Sequence, residues 1–295
     1  MRSTIGASII HWVLAYYLGV HLDMKMTGVA IASMVHFIFR FIFMYYLVTN
    51  NKDAQKCLIS LRHEDSWKGL KEIIIVGWNS FLVKVMGWWA FDVFTQLASL
   101  LTETDVAAQT ILRNIGLFTY MIPVGLMIST NYLVGRYIGM NRVDLANKIG
   151  KLLFVLTLTW SLSSMILVFI WREPIMSVYT TDESIKEVMR NAWNVVCVFV
   201  FFDCMQGVAN GAISGLGIVK QVRWVTIVDY WVLGIPLSMY CMFKANMGIQ
   251  GLWYGPTLAV LMNYLFYQKV ILGADMQKIS DETAERMKKE NAELK

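Results

Sequence analysis

Windows of about 20 apolar residues, the length that crosses a bilayer as an α-helix, recur eight times along this chain. They predict membrane-spanning helices, because lipid requires every backbone polar group to be satisfied internally. The composition agrees, since 57% of the residues are hydrophobic and only 16% are charged. We therefore predict an all-α membrane protein with about eight transmembrane helices. Its spans are placed at 4–20, 28–48, 73–101, 106–135, 152–171, 188–216, 222–243 and 249–270.

The distribution of basic residues predicts the orientation. Cytoplasmic loops of membrane proteins carry an excess of Lys and Arg. If both termini lie on one side, 18 of the 26 Lys and Arg fall in the terminal segments and loops of that side. We therefore expect both termini to be cytoplasmic. The formal net charge of +5 then requires no nucleic-acid partner, because the charge is spread over several loops.

The composition of the loops divides the chain into segments. Residues 49–72 form the longest internal connection, which we interpret as a cytoplasmic linker. It would join a two-helix hairpin, residues 1–48, to a six-helix block, residues 73–270. Residues 271–295 are mostly polar and of mixed charge. We expect them to form a solvated, partly helical cytoplasmic tail and not a docking helix.

The segment FFDCMQGVANGAISGLG contains one charged residue, Asp203, in the middle of a predicted span. Three glycines follow at intervals of four: Gly207, Gly211 and Gly215. On a helix they share one face with the acid, and this spacing allows close helix packing. The carboxyl group is therefore predicted to face the helix bundle, where ionisable groups commonly serve proton relays or substrate pathways. The alternative is a structural acid, hydrogen-bonded or paired with an arginine such as Arg113.

A second acid, Asp92, shares a helix face with Lys84 and Trp88. A cation can bind between an aromatic ring and a carboxylate, so Asp92 is a second candidate for proton or cation binding. Packing or interfacial anchoring is the alternative for the tryptophan. Lys84 and Arg113 could each neutralise an acid, and the sequence alone does not assign the pairs. Asp229 is a further acid, nearer the end of its span.

Patterns for enzymatic or metal chemistry are missing from the sequence. The four histidines and four cysteines show no ligand spacing. Neither a nucleophile–base pattern nor a phosphate-binding loop occurs. We therefore predict a protein that is not an enzyme, with no catalytic residues, no metal site and no cofactor.

Four stretches carry motifs that occur together in one known family. They are WWAFDVFTQLASLL with Asp92, AAQTILRNIGLFTYMIPVGL with Asn114, FFDCMQGVANGAISGLG with Asp203 and Gln206, and DYWVLGIPLSMYCMFKANMGIQGLWYGP with Tyr230. Together they resemble the multidrug and toxic compound extrusion (MATE) family of secondary transporters, most of all its eukaryotic branch. The resemblance runs over nearly the whole chain, and the motifs follow one another at the family's separations.

The resemblance implies two six-helix lobes with a substrate cavity between them. Residues 73–270 would be the complete second lobe and residues 4–48 the last hairpin of the first, so the family's first four helices would be missing here. The implied function is proton-coupled efflux of organic cations across a plasma, vacuolar or vesicular membrane. The expected partners are the cation, protons and lipid, with an oligomer or a missing N-terminal half as further possibilities.

The resemblance and the charges within the spans together assign site roles. Asp203 and Asp92 would accept protons or cations, and the cavity would be lined by Asn114, Gln206, Trp88, Tyr230 and Asp229. Gly87 stands where some animal relatives have a second acid, and Lys84 and Arg113 add positive charge to a cavity for cations. The alternative to a transporter is a truncated, non-transporting membrane paralogue or fragment. A lipid-linked sugar flippase, which we expect to have more arginines around its cavity, is a further alternative.

Overall fold

The computed structural model describes residues 2–55, 63, 66–67 and 69–293, and this part of the chain is mainly helical and has no strand. The chain divides into two compact units, Met1–Ile73 and Ile74–Lys295. This division falls at the end of the predicted linker 49–72, which lies partly outside the described residues.

The first unit is a hairpin of two apolar helices. Its helices are α1 at Arg2–Tyr16, extended by a π-helical turn at Tyr17–His21, and α2 at Lys25–Thr49, followed by a short helix at Lys52–Gln55. The helices approach closely near their turn, where a Cβ at Gly28 would lie 2.7 Å from the carbonyl carbon of Leu18. Most large side chains point outward, including Trp12 at 79% exposure. Such a surface needs an apolar environment.

Eight helices lie in the described part of the chain from Leu70 onward. The first turn of the first of them belongs to the end of the linker, and the remainder forms the second unit. They are α3 at Leu70–Ala98, α4 at Glu103–Gly139, α5 at Val143–Ile170, α6 at Arg172–Tyr179, α7 at Glu183–Gly215, α8 at Arg223–Lys244, α9 at Gly248–Gly273 and α10 at Met276–Glu293. A short 3₁₀ turn, Val219–Gln221, precedes α8. Helix α8 contains two π-helical segments, Val228–Gly234 and Tyr240–Lys244.

Each of the eight predicted spans coincides with a long helix. Among the described residues, six helices are long and apolar enough to cross a membrane, or seven if α9 and α10, which meet at a 72° bend, count as one. Helix α3, with 29 residues, also has the length of a span. The prediction of an all-α membrane protein with about eight spans is confirmed.

Helix α7 lies at the centre of the second unit, where it packs against α4, α5 and α9. The fully buried Trp193 of α7 donates from its indole nitrogen to the carbonyl oxygen of Val168 in α5, at 3.0 Å. Further along α7, Phe199 packs edge to face on Trp253 of α9, with 5.0 Å between ring centroids. These buried contacts fix the middle of α7, which carries the candidate site.

A short helix that the sequence did not predict, α6, follows α5. Arg190 of α7 donates to both carboxylate oxygens of Glu173 in α6, at 2.8 Å each. This interaction holds the pKa of Glu173 below its usual value. The ion pair joins α6 to the beginning of α7.

The expectation that the tail, residues 271–295, does not dock was wrong for the first turns of α10. These turns pack on the end of α4 and the beginning of α5. Ser280 is fully buried, and its hydroxyl donates to the carbonyl oxygen of Ile138 at 2.7 Å. The same hydroxyl lies 2.9 Å from Oδ1 of Asn141, and Ile279 packs on a buried cluster that contains Ile138. Met276, Ile279 and Ser280 recur at helical spacing, so they form a narrow docking face on a helix that is otherwise charged.

Replacing Ser280 by glutamate is expected to detach α10. The larger carboxylate would be buried beside a carbonyl oxygen, at a cost of about 2 kcal/mol or more. Hydrogen exchange of the α10 amides should accelerate by roughly 30-fold. The control is Lys278→Glu, which places the same side chain on the exposed face of α10. Equal protection in both variants would contradict the docking of α10.

Candidate functional site

A cavity of about 340 Å³ lies inside the second unit, among α3, α4, α7, α8 and α9. We call it the central cavity. Its lining combines aromatic rings with a small number of charged and polar groups, as ligand sites usually do. The lining residues are Lys84, Gly87, Trp88, Phe91, Arg113, Gly116, Leu117, Tyr120, Val124, Met127, Phe199, Asp203, Gln206, Gly207, Asn210, Thr226, Tyr230, Trp253 and Tyr267.

Asp203 supplies the one carboxylate among the described residues that line the central cavity. It lies in the middle of α7, far from either end of the helix. Its side chain makes no hydrogen bond or ion pair with any residue in the described ranges. The acid is therefore available to a proton or to a ligand within the cavity.

Asp92 and Arg113 form an ion pair between α3 and α4. Arg113 Nη2 lies 2.7 Å from Asp92 Oδ1, and Nη1 donates to Thr95 Oγ1 at 3.1 Å. Arg113 lines the central cavity, whereas the Asp92 side chain, 56% exposed, is not part of the lining. Of the pairings that the sequence left open, the structure has Arg113 with Asp92 and not with Asp203.

Two hydrogen bonds hold the polar lining on the side of α8. The Tyr230 hydroxyl donates to Oε1 of Gln206 at 3.3 Å, and Thr226 Oγ1 lies 2.6 Å from the Tyr267 hydroxyl. Tyr230 lies in the first π-helical segment of α8, and such segments often occur at functional sites. These bonds fix the orientation of two aromatic rings around the cavity.

The MatE family model matches residues 80–240, more than half of the chain. The chain belongs to the MatE family. The resemblance of its motifs to this family is thereby confirmed, and the chain is a multi-pass integral membrane protein of a transporter family. The MatE match covers α4 to α7 completely and most of α3 and α8, so it contains most of the residues that line the central cavity.

Two MatE relatives among curated proteins show how much of a full-length member is present. Multidrug and toxin extrusion protein 1 of Xenopus tropicalis is 26% identical over 309 aligned residues, covering 96% of this chain and 54% of the relative. The protein of the same name from Homo sapiens is 22% identical over 283 residues, covering 93% of this chain and 48% of the relative. The chain spans about half the length of these relatives.

A solved MatE structure supports the same fold. The eukaryotic MATE transporter AtDTX14 matches with a TM-score of 0.89 at 20% identity, over 97% of this chain and 64% of that one. At this identity the likeness establishes the fold alone. The two curated relatives are named as extrusion proteins, and the solved structure is that of a transporter.

Four of the seven predicted binding and lining residues meet in the central cavity of this MatE chain: Asp203, Gln206, Trp88 and Tyr230. The structure places Asn114 on an exposed part of α4, outside the lining. Asp229 is also outside the lining. It is 4% exposed, and its Oδ2 has no hydrogen-bond partner within the described part of the chain. Asp92 is outside the lining as well, paired with Arg113.

The three glycines after Asp203 lie where α7 packs on α4. A Cβ at Gly207 would lie 2.8 Å from the ring of Tyr120. At Gly211 it would lie 3.1 Å from the carbonyl carbon of Met127, and at Gly215 it would lie 2.8 Å from the carbonyl oxygen of Asn131. Such separations leave no room for a side chain. The glycine face therefore brings α4 against α7 directly below the acid.

Several polar lining residues of the MatE cavity were missed by the sequence analysis: Tyr120, Asn210, Thr226 and Tyr267. Asn210 had a usable signal, because it follows Asp203 by seven residues and Gln206 by four, which places all three on one helix face. The two tyrosines had no usable sequence signal, because tyrosines near the end of a span are also common at the membrane surface. Within the described residues, no three His, Cys, Asp or Glu side chains group as metal ligands.

Proposed function

We propose that this MatE lobe takes part in proton-coupled antiport of organic cations, with Asp203 as the group that protons and cations share. The observation that carries the proposal is the unpaired carboxylate of Asp203 in a cavity lined by aromatic rings. Aromatic faces attract organic cations, and Trp88 and Tyr230 are present in the lining. Asp92, the other acid predicted to accept protons or cations, is paired with Arg113.

In the proposed cycle, a proton and an organic cation compete for the carboxylate of Asp203. A proton that enters from the outside or from a lumen neutralises Asp203 and removes the attraction for the cation, which is released. Loss of that proton toward the cytoplasm restores the negative charge, and a new cation binds. Alternating access would come from movement of the two lobes of the full transporter.

Transport is proposed for the native polypeptide that contains these residues, because the curated relatives are about twice as long as the chain. The membrane is proposed to be a plasma, vacuolar or vesicular membrane, with both termini in the cytoplasm. The positive-inside distribution of Lys and Arg supports this orientation. The partners are then an organic cation, protons and lipid.

The test is exchange in proteoliposomes that contain the longest native polypeptide. With an acidic interior, tetraethylammonium uptake should rise, and a pH-sensitive dye inside should report protons leaving as the cation enters. A protonophore should abolish the uptake. Uptake that is equal with and without the proton gradient would overturn the proposed coupling. No uptake at all would favour the non-transporting alternative.

Lys84 provides a second test of the cation site. It lines the central cavity and has no ion pair among the described residues, so its charge repels a bound cation. Replacing Lys84 by glutamine should lower the apparent Kd for tetraethylammonium by roughly fivefold, which corresponds to about 1 kcal/mol. The control on the same helix is Lys71→Gln, which changes an exposed residue outside the cavity. Weaker binding in the Lys84 variant would contradict a cationic substrate.

A further inference from the structure

A second and larger cavity, of about 850 Å³, lies on another side of the lobe, among α4, α5, α7, α9 and α10. We call it the lateral cavity. Its lining runs along α7 from Met205 to Leu216, the residue that follows the helix, which is about 16 Å at 1.5 Å per residue. Because its lining shares no residue with the central cavity, the proposed transport cycle does not use it.

The lining of the lateral cavity is mainly apolar, and its two charged side chains, Lys151 and Asp275, lie toward the part where α10 docks. Met205 of α7 and Phe154 of α5 line its inner part. Lys151, one helical turn before Phe154, and Gln277 of α10 line the end that lies beside the docked tail. The positive-inside distribution assigns that end to the cytoplasmic surface. A ligand of matching shape has an apolar body and a polar or charged head.

Part of the lining of the lateral cavity lies on the outer surface of the lobe, which we expect lipid to cover. Val155 and Leu272 both line it, and their exposed fractions are 55% and 83%. These residues belong to α5 and α9, which both pack on α7 from different positions. An apolar chain can therefore enter from the bilayer without crossing water.

The lining of the lateral cavity contains one cation, Lys151, and one acid, Asp275, and the cation is the group that an anionic head could bind. Lys151 is an exposed cation in the lining. The lining acid, Asp275, is engaged at the beginning of α10, where its Oδ1 accepts from the Lys278 backbone amide at 3.0 Å and the helix end stabilises negative charge. Lys151 is therefore the lining residue that can form an ion pair with an anionic ligand.

We propose that the lateral cavity binds one anionic phospholipid of the cytoplasmic leaflet, with an acyl chain between α5 and α9 and the phosphate at Lys151. Helix α10 closes the end of this site through Met276 and Gln277. The lipid would join α5, α9 and the docked tail, and its head group would be selected by charge.

The test measures lipid that stays with the native polypeptide. The protein is reconstituted in phosphatidylcholine vesicles with one-tenth phosphatidylglycerol, extracted in detergent and washed, and the retained lipid is counted by mass spectrometry. We expect about one lipid per chain, enriched at least fivefold in phosphatidylglycerol. Lys151→Gln should lose the enrichment, whereas Lys148→Gln, an exposed lysine on the same helix outside the lining, should keep it.

A second variant removes the space for the chain. Ala212 of α7 lines the lateral cavity, and a tryptophan there should eliminate the retained lipid, phosphatidylcholine included. Equal enrichment in the wild type and both lysine variants would overturn the proposal. So would retention of the same lipid by Ala212→Trp, or a wild type that holds no lipid above that variant.

Discussion

Asp203→Asn is expected to reduce proton-driven exchange of tetraethylammonium to background, a loss of about 30-fold or more. The amide is nearly the same size as the carboxyl group but carries no charge and takes up no proton. The variant therefore resembles the protonated state permanently, and it lacks the attraction for a cation. Protein abundance and thermal stability should stay near the wild type, because Asp203 makes no hydrogen bond or ion pair with the described residues that would be lost.

Two further variants make the Asp203 result specific. Asp203→Glu keeps the acid and should retain part of the exchange, with a changed pH profile. Asp144→Asn, an exposed acid in the first turn of α5, should exchange like the wild type. If Asp203→Asn exchanged at the wild-type rate with the wild-type pH dependence, Asp203 would not be the shared site.

Gly211→Val is expected to destabilise the packing of α4 on α7 by about 1–3 kcal/mol. A Cβ at this position would lie 3.1 Å from the Met127 carbonyl carbon and would overlap the carbonyl oxygen. The obstacle is helix backbone, which cannot rotate away as a side chain can. The helices would have to separate, and the buried contacts around Gly211 would weaken with them.

The matched control for this prediction is Gly125→Val. Gly125 lies in α4, and a Cβ there would have no other atom within 4 Å. Its substitution should therefore change the unfolding temperature little. The unfolding of both variants can be followed in detergent by thermal aggregation or by cysteine reactivity at the buried Cys204. Equal stability of Gly211→Val and the control would show that α4 and α7 do not pack as described.

The spans were predictable because lipid imposes a length and an apolar composition on every crossing segment. The residues at which the helices begin and end were less predictable. Helix α5 begins at Val143, nine residues before the predicted span, because its first two turns are polar and extend beyond the apolar window. Helix α10 was misjudged for a related reason. Its docking face is formed by a few residues, and the charged remainder of the segment dominates the composition.

The placement of Asp203 in a cavity was predictable, because a lone carboxylate in the middle of a span is costly in lipid and is expected to face the helix bundle. The pairing of Arg113 with Asp92 was not predictable, since it depends on how α3 and α4 are rotated about their own axes. The same rotation places Asn114, next to Arg113 in the sequence, on the exposed face of α4.

The π-helical segments of α8 affect how this chain should be aligned with its relatives. A π-helical turn closes a hydrogen bond over one more residue than an α-helical turn, so each segment accommodates an additional residue without lengthening the helix by a full step. A relative with regular α-helix at Val228–Gly234 would need a one-residue gap there. Without that gap, every position from Ile235 onward would be compared with a residue on a different side of the helix. Alignments of this segment should therefore follow hydrogen-bonding pattern as well as residue similarity.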